Sequence, residues 1–180
     1  MEVLNTDFEG LKLIKPKIFP DSRGCFFEFF QSKKYLALGI TEPLVQINCS
    51  FSFKNVLRGL HYQKDHPQDK LVMVLEGKVL DVIVDIRPDS VSFGKWLSFE
   101  LSSENFHQLY IPKGFAHGFI TLSDHVNFIY ACTEYYNPSS EAGIRWNDPI
   151  LNISWPIDNP ILSDKDQKLP YWQEIDFSIL

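Results

Sequence analysis

Apolar residues in this chain come in short runs broken by turn-forming residues about every 8–12 positions, which leaves little room for long helices. "LKLIKPKIF" (11–19), "CFFEFF" (25–30), "LVQINCSF" (44–51), "KLVMVL" (70–75) and "KVLDVIVDI" (78–86) read as strands. So do "GKWLSFEL" (94–101), "HQLYIP" (107–112), "HGFITL" (117–122) and "VNFIYACTEYY" (126–136). In 78–86 the period of two puts Leu80, Val82, Val84 and Ile86 on one face, with Asp81 and Asp85 on the other. "PDSRG", "LEGK", "RPDSVSFG", "IPKG" and "NPSSEAG" supply the turns. The best helix candidate is "SKKYLALG" (32–39), with Ser32 as N-cap and Gly39 as stop. The expectation is an all-β antiparallel sandwich or barrel. With no repeat or linker in view, residues 1–180 read as one domain, and 147–180 as an irregular segment laid over the barrel.

Several classes of function are disfavoured. A net charge of −6 does not suit general nucleic-acid binding, whose footprint is a basic excess. The apolar runs are far shorter than the ~20 residues a spanning helix needs, and "MEVLNTDFEG" lacks the layout of a signal peptide. Cys25, Cys49 and Cys132 form no CxxC pair and are expected as buried, reduced thiols of a cytoplasmic protein. Trp96, Trp146 and Trp155 are expected in the core.

Two glycine-containing stretches carry chemistry. "RGLHYQKDHPQDKLVMVLEGKV" (58–79) and "IPKGFAHGF" (111–119) resemble the two motifs of the cupin superfamily, small barrels of jelly-roll type. That resemblance implies a cupin-type jelly-roll barrel of antiparallel strands with a few short helices. Pro112, Gly114 and His117 match the second motif. In the first, His61 is followed by Gln63 where metal-binding cupins have a second histidine. Lys70 stands where they have a glutamate, seven residues before Gly77, and His66 falls in the turn "KDHPQD". An ammonium repels a divalent ion and offers no lone pair while protonated, so no metal is expected. Proton chemistry fits better: abstraction beside a carbonyl needs a base, a positive charge for the enolate oxygen and an acid. Histidine, lysine and tyrosine on strands facing one cavity would supply the three.

"DSRGCFFEFF", "VQINCS", "VLRGLHYQ", "DKLVMVLEGKVLDVIVDIRPDSVSFGKW", "QLYIPKGFAHGF", "FIYACTEYYNPSSEAGIRWNDP" and "ILSDKD" occur in that order. Over roughly residues 8–168 they resemble the dTDP-4-dehydrorhamnose 3,5-epimerase family of rhamnose-pathway isomerases. The resemblance implies His61 as base, paired with Asp166, Tyr130 as proton donor and Lys70 facing the enolate oxygen. It also implies ligand contacts from Arg23, Glu28, Gln46, Asn48, Arg58, His117, Glu141 and Lys165, with Phe26 and Tyr136 available to stack. The implied substrate is dTDP-4-dehydro-6-deoxy-D-glucose, inverted at C3 and C5 without a cofactor. Members are typically homodimers in which N-terminal strand exchange helps to build each site.

Each assignment has a plainer rival. Tyr135 and Tyr136 compete with Tyr130, and Asp164 with Asp166. Arg23 and Arg58 could simply pair with acidic neighbours, and His117 could be structural. Ile47 stands where the family often has an aspartate, and Met73 where an arginine is common; both could alter nucleotide or sugar contacts. The alternatives in function are a single-centre epimerase, a metal-dependent cupin oxygenase and a non-catalytic sugar-nucleotide binder.

Overall fold

The computed structural model describes residues 1–179 and is almost entirely β. One six-stranded antiparallel sheet has the order β1 (Glu2–Asn5), β2 (Lys12–Lys15), β10 (Gln108–Ile111), β7 (Lys70–Glu76), β12 (His125–Cys132), β5 (Gln46–Phe53). A five-stranded antiparallel sheet has the order β13 (Glu141–Gly143), β6 (Leu57–Gln63), β11 (Phe115–Thr121), β8 (Lys78–Asp85), β9 (Trp96–Ser102). The sheets face each other as the two walls of a cupin-type jelly roll. β3 (Ile18–Asp21) and β4 (Gly24–Phe27) pair only with each other.

The inner faces meet in one core. Val72 and Val74 of β7, Leu109 of β10 and Phe128 of β12 pack against Val79 and Ile83 of β8, Leu101 of β9, and Phe115 and Phe119 of β11. Residues of opposite parity cover the outsides. Leu60, Val82, Val84 and Ile86 lie under Trp96, Leu151, Trp155, Trp172 and Phe177, so the segment after β13 seals the outer face of the five-stranded sheet. On the other sheet Ile14, Leu71 and Tyr110 hold Tyr35, from α1 (Ser32–Leu36), together with Ile40.

The parity read for β8 is correct, but its aspartates do not face water. Asp81 and Asp85 are both 0% exposed, because their face points into the barrel and both faces of the strand are covered. Other expectations need correction. The run 11–19 breaks at Pro16, which has no N–H for a ladder, and its halves join different sheets. The run 25–30 ends at Phe27, and 126–136 ends at Cys132. The helix is one short turn whose N-cap is Gln31, not Ser32, and Gly39 follows it at φ +85°. Cys25 and Cys49 are exposed and only Cys132 is buried: Cys25 lies on the projecting hairpin and Cys49 on the outward side of edge strand β5. Trp96 and Trp155 pack against the outer cluster while half-buried, and the Trp146 carbonyl accepts the Trp155 indole N–H at 2.8 Å. β1, the three-residue β13 and the seven-residue β6, which carries His61, had no counterpart among the sequence runs.

Candidate active site

A cavity of about 550 Å³ lies on the inner faces of β5, β6, β7, β11 and β12. Because side chains alternate, Gln46, Asn48 and Ser50 of β5 enter it while Ile47, Cys49 and Phe51 point outwards. His61 comes from β6, Lys70 from β7, His117 from β11 and Tyr130 from β12. Gly59 allows β6 and β11 to approach closely: at φ +123°, a Cβ there would sit 2.5 Å from the Gly118 Cα. The neighbouring register sets His61 opposite His117.

The 3₁₀ turn η1 (Asp166–Lys168) brings Asp166 to His61, with Nε2 to Oδ1 at 2.6 Å. Burial alone would raise the Asp166 carboxyl. Hydrogen bonds from His61, Ser163 and the Gly59 backbone, with the charge of His61, instead hold it below its ordinary value. An ionised carboxylate only accepts, so Nε2 carries the hydrogen and Nδ1 is left as the ring's basic lone pair. Asp164 does not line the cavity, so Asp166 is the aspartate that meets the imidazole.

Around this pair the electrostatics divide cleanly. Burial lowers the Lys70 ammonium from its ordinary value, against the opposing charges of Cys132, Asp81 and Glu141. Burial raises the Tyr130 phenol, assisted by Cys132 and opposed by Arg58, so Tyr130 keeps its proton. The His117 Nε2 meets Asp81 Oδ2 at 2.9 Å; burial raises that carboxyl despite His117 and Lys70, and its Oδ1 has no hydrogen-bond partner among the described residues. At the rim Glu141 accepts from both the Tyr136 hydroxyl and the Lys165 ammonium. The Arg58 guanidinium is braced by Ser52 Oγ at 2.9 Å and the Phe51 carbonyl at 3.1 Å.

Eleven of the residues singled out in the sequence thus line one cavity: Gln46, Asn48, Arg58, His61, Lys70, His117, Tyr130, Tyr136, Glu141, Lys165 and Asp166. Arg23 and Glu28 do not. Arg23 sits at the β3–β4 turn bonded to Asp21, and Glu28 pairs with Lys34 at 2.7 Å. Phe26 is likewise outside, 68% exposed, whereas Tyr136 lines the cavity and Tyr135 does not. Sequence reasoning passed over Gln63, Gln68, Ser50, Phe119 and Phe128. Strand parity with His61, Asn48, His117 and Tyr130 was the signal for Gln63, Ser50, Phe119 and Phe128.

Residues 5–174 match the family model described as dTDP-4-dehydrorhamnose 3,5-epimerase. The chain belongs to this family. The Escherichia coli K12 dTDP-4-dehydrorhamnose 3,5-epimerase is 52% identical over 172 residues, spanning 94% of this chain and 93% of that protein. A Legionella pneumophila dTDP-6-deoxy-D-glucose-3,5-epimerase, solved in complex with dTDP-4-keto-L-rhamnose, superposes with a TM-score of 0.96 at 51% identity, covering 99% of this chain and 96% of its own. A Streptomyces bikiniensis 3'-monoepimerase with dTDP-quinovose gives 0.86 at 33% identity, covering 92% and 85%. The two departures from the family pattern stand clear of the cavity. Ile47 is 63% exposed on the outer face of β5, and Met73 is fully buried on the outer face of β7, its sulfur 3.9 Å from the Gln108 amide nitrogen. Neither side chain enters the cavity of this chain.

Proposed function

We propose that this chain inverts C3 and C5 of dTDP-4-dehydro-6-deoxy-D-glucose to give dTDP-4-dehydro-6-deoxy-L-mannose. The observation that carries the reading is the meeting of the His61–Asp166 pair with Lys70 and Tyr130 around one cavity. His61 Nδ1 takes the proton from the carbon beside the ketone, and the C–H electron pair moves into an enolate whose negative charge rests on O4. The Lys70 ammonium stabilises that oxygen, and Tyr130 delivers a proton to the opposite face of the same carbon. Asp166 holds the imidazole in one tautomer and stabilises the imidazolium. The ketone acidifies both neighbouring C–H bonds, so the same groups serve twice and no electron leaves or enters the substrate.

Arg58, Gln46, Asn48 and the Glu141–Lys165 pair are assigned to the nucleotide and sugar, with the diphosphate at Arg58. Arg23 and Glu28 are assigned to the cavity of a second copy in a homodimer. The supporting observations are a hairpin that pairs only with itself and its exposed Phe19 and Phe26, 48% and 68%. The cytoplasm, where nucleotide sugars are made, is the assigned compartment.

Incubation of the 4-ketosugar nucleotide in D₂O, read by mass spectrometry and NMR, tests the reaction. Deuterium at both C3 and C5 is expected. Label at one centre alone would move the assignment to the single-centre chemistry named for the Streptomyces bikiniensis neighbour. A bound nucleotide sugar with no exchanged carbon hydrogen would mean a binder rather than an enzyme.

A further inference from the structure

A second cavity, of about 350 Å³, meets the first at Tyr62, Gln63, Gln68, Lys70 and His117, which line both. Its mouth is separate. Exposed Lys64, Pro67, Pro88, Asp89 and Lys113, after the ends of β6, β8 and β10, border this cavity and not the first. Arg58 and the 161–166 segment, which border the first, do not reach it.

The chemistry creates a need at this junction. Each inversion leaves His61 with one proton too many and Tyr130 with one too few, and two centres require the pair to be reset twice. A nucleotide sugar lying along Arg58, Gln46 and Asn48 fills the first mouth while this happens. The shared wall carries groups that hold water or pass a proton, the His117 imidazole, the Lys70 ammonium and the Gln68 amide oxygen, while the Gln63 amide is bonded to the His66, Tyr135 and Asn137 backbone. Behind His117 stands Asp81, 0% exposed, with one oxygen unpartnered among the described residues. Burial makes the Lys70 ammonium a readier donor than a surface lysine.

We propose that the second cavity is a water conduit to Lys70 and His117, through which the acid–base pair resets while a nucleotide sugar occupies the first cavity. The inference rests on the epimerase reading above. His61 and Tyr130 line only the first cavity, so the Nδ1 proton crosses the shared wall to water in the conduit, and one returns by way of Lys70 to the Tyr130 phenolate. Protons balance, and no atom changes oxidation state.

Placing a large ring on each side of the conduit mouth tests this without touching the first cavity. In the double variant Lys64→Trp/Lys113→Trp, kcat is expected to fall at least about tenfold, since a positioned proton transfer is obstructed. KM should stay within about twofold. Lys64→Ala/Lys113→Ala, which removes charge but leaves the mouth open, should match wild type in both. A second readout needs no turnover. Cyanate, whose isocyanic acid form adds to a neutral amine with no leaving group, should carbamylate Lys70 in wild type saturated with dTDP but not in the tryptophan variant. Full kcat in the tryptophan variant overturns the proposal. So does complete protection of wild-type Lys70 by dTDP, whether or not the variant folds. Wild-type product lacking label at both C3 and C5 would sink the epimerase reading instead, and the cyanate comparison would still report on the conduit.

Discussion

His61, Asp166, Lys70 and Tyr130 make separable contributions, and each has its own test. His61→Ala should abolish deuterium exchange at both centres and lower kcat by ~10²–10⁴, the usual scale for a positioned base. Tyr130→Phe should suppress epimerisation more than exchange, because abstraction survives while delivery from the far face does not. On the alkaline side, burial has moved Lys70 down and Tyr130 up. The alkaline limb of kcat/KM should therefore report loss of the Lys70 ammonium, below the range of an exposed lysine. Lys70→Arg should move that limb upward while lowering kcat, and an unmoved limb would assign it elsewhere. Asp166 is lowered in the fold, so its stabilising effect is complete above the ordinary carboxylate value of ~3.9 and is lost as pH falls through the folded value. Acid melts of wild type and Asp166→Asn should converge in that window. Of these groups, His61, Lys70 and Tyr130 were legible because each sits in a recognisable block on a strand. The role of Asp81 was not: alternation placed it on the polar-looking face of β8, and only burial on both sides reveals that this face looks into the barrel.

At the level of elements, β7 and β8 were readable as apolar, β-branched-rich runs bounded by turn residues, whereas β6, equally long, was not. β13, with three residues, has no period to detect, yet it carries Glu141. The strap after it was read as irregular, but what docks it is a set of hydrogen bonds no pattern announces. Asp148, 2% exposed, accepts the N–H groups of Ile150, Leu151 and Trp172 at 2.8, 2.9 and 2.7 Å. Arg145 donates to the Leu169 carbonyl at 2.8 Å and lies over the Tyr171 ring. These contacts flank η1 and its Asp166. Asp148→Ala should lower stability by about 3 kcal/mol, since it leaves three N–H donors without their acceptor. Amide exchange across 163–174 should quicken in that variant before the strands respond. Protection unchanged in that stretch would mean the apolar cluster alone holds it.

For the molecule as a whole, β5 has two unlike sides: Gln46, Asn48 and Ser50 toward the cavity, and Ile47, Phe51 and Phe53 outward at 63%, 51% and 66% exposed. A free sheet edge bearing such a row usually invites a neighbour. In the homodimer proposed here, Phe51→Asp/Phe53→Asp should shift the protein toward monomer in analytical ultracentrifugation. An unchanged dimer would place the interface elsewhere. The position of Arg23 at the tip of the β3–β4 hairpin, and of Glu28 just after β4, follows from the same idea and could not be read from one chain's sequence pattern.

His61 and the carboxylate that steers it are 105 residues apart, and the later partner arrives on the strap that closes over the finished sheets. On the mechanism proposed here, a chain emerging from the ribosome carries its base long before it carries the group that points it. The imidazole of a half-built copy therefore lacks the carboxylate that would fix its tautomer until the late-made strap docks.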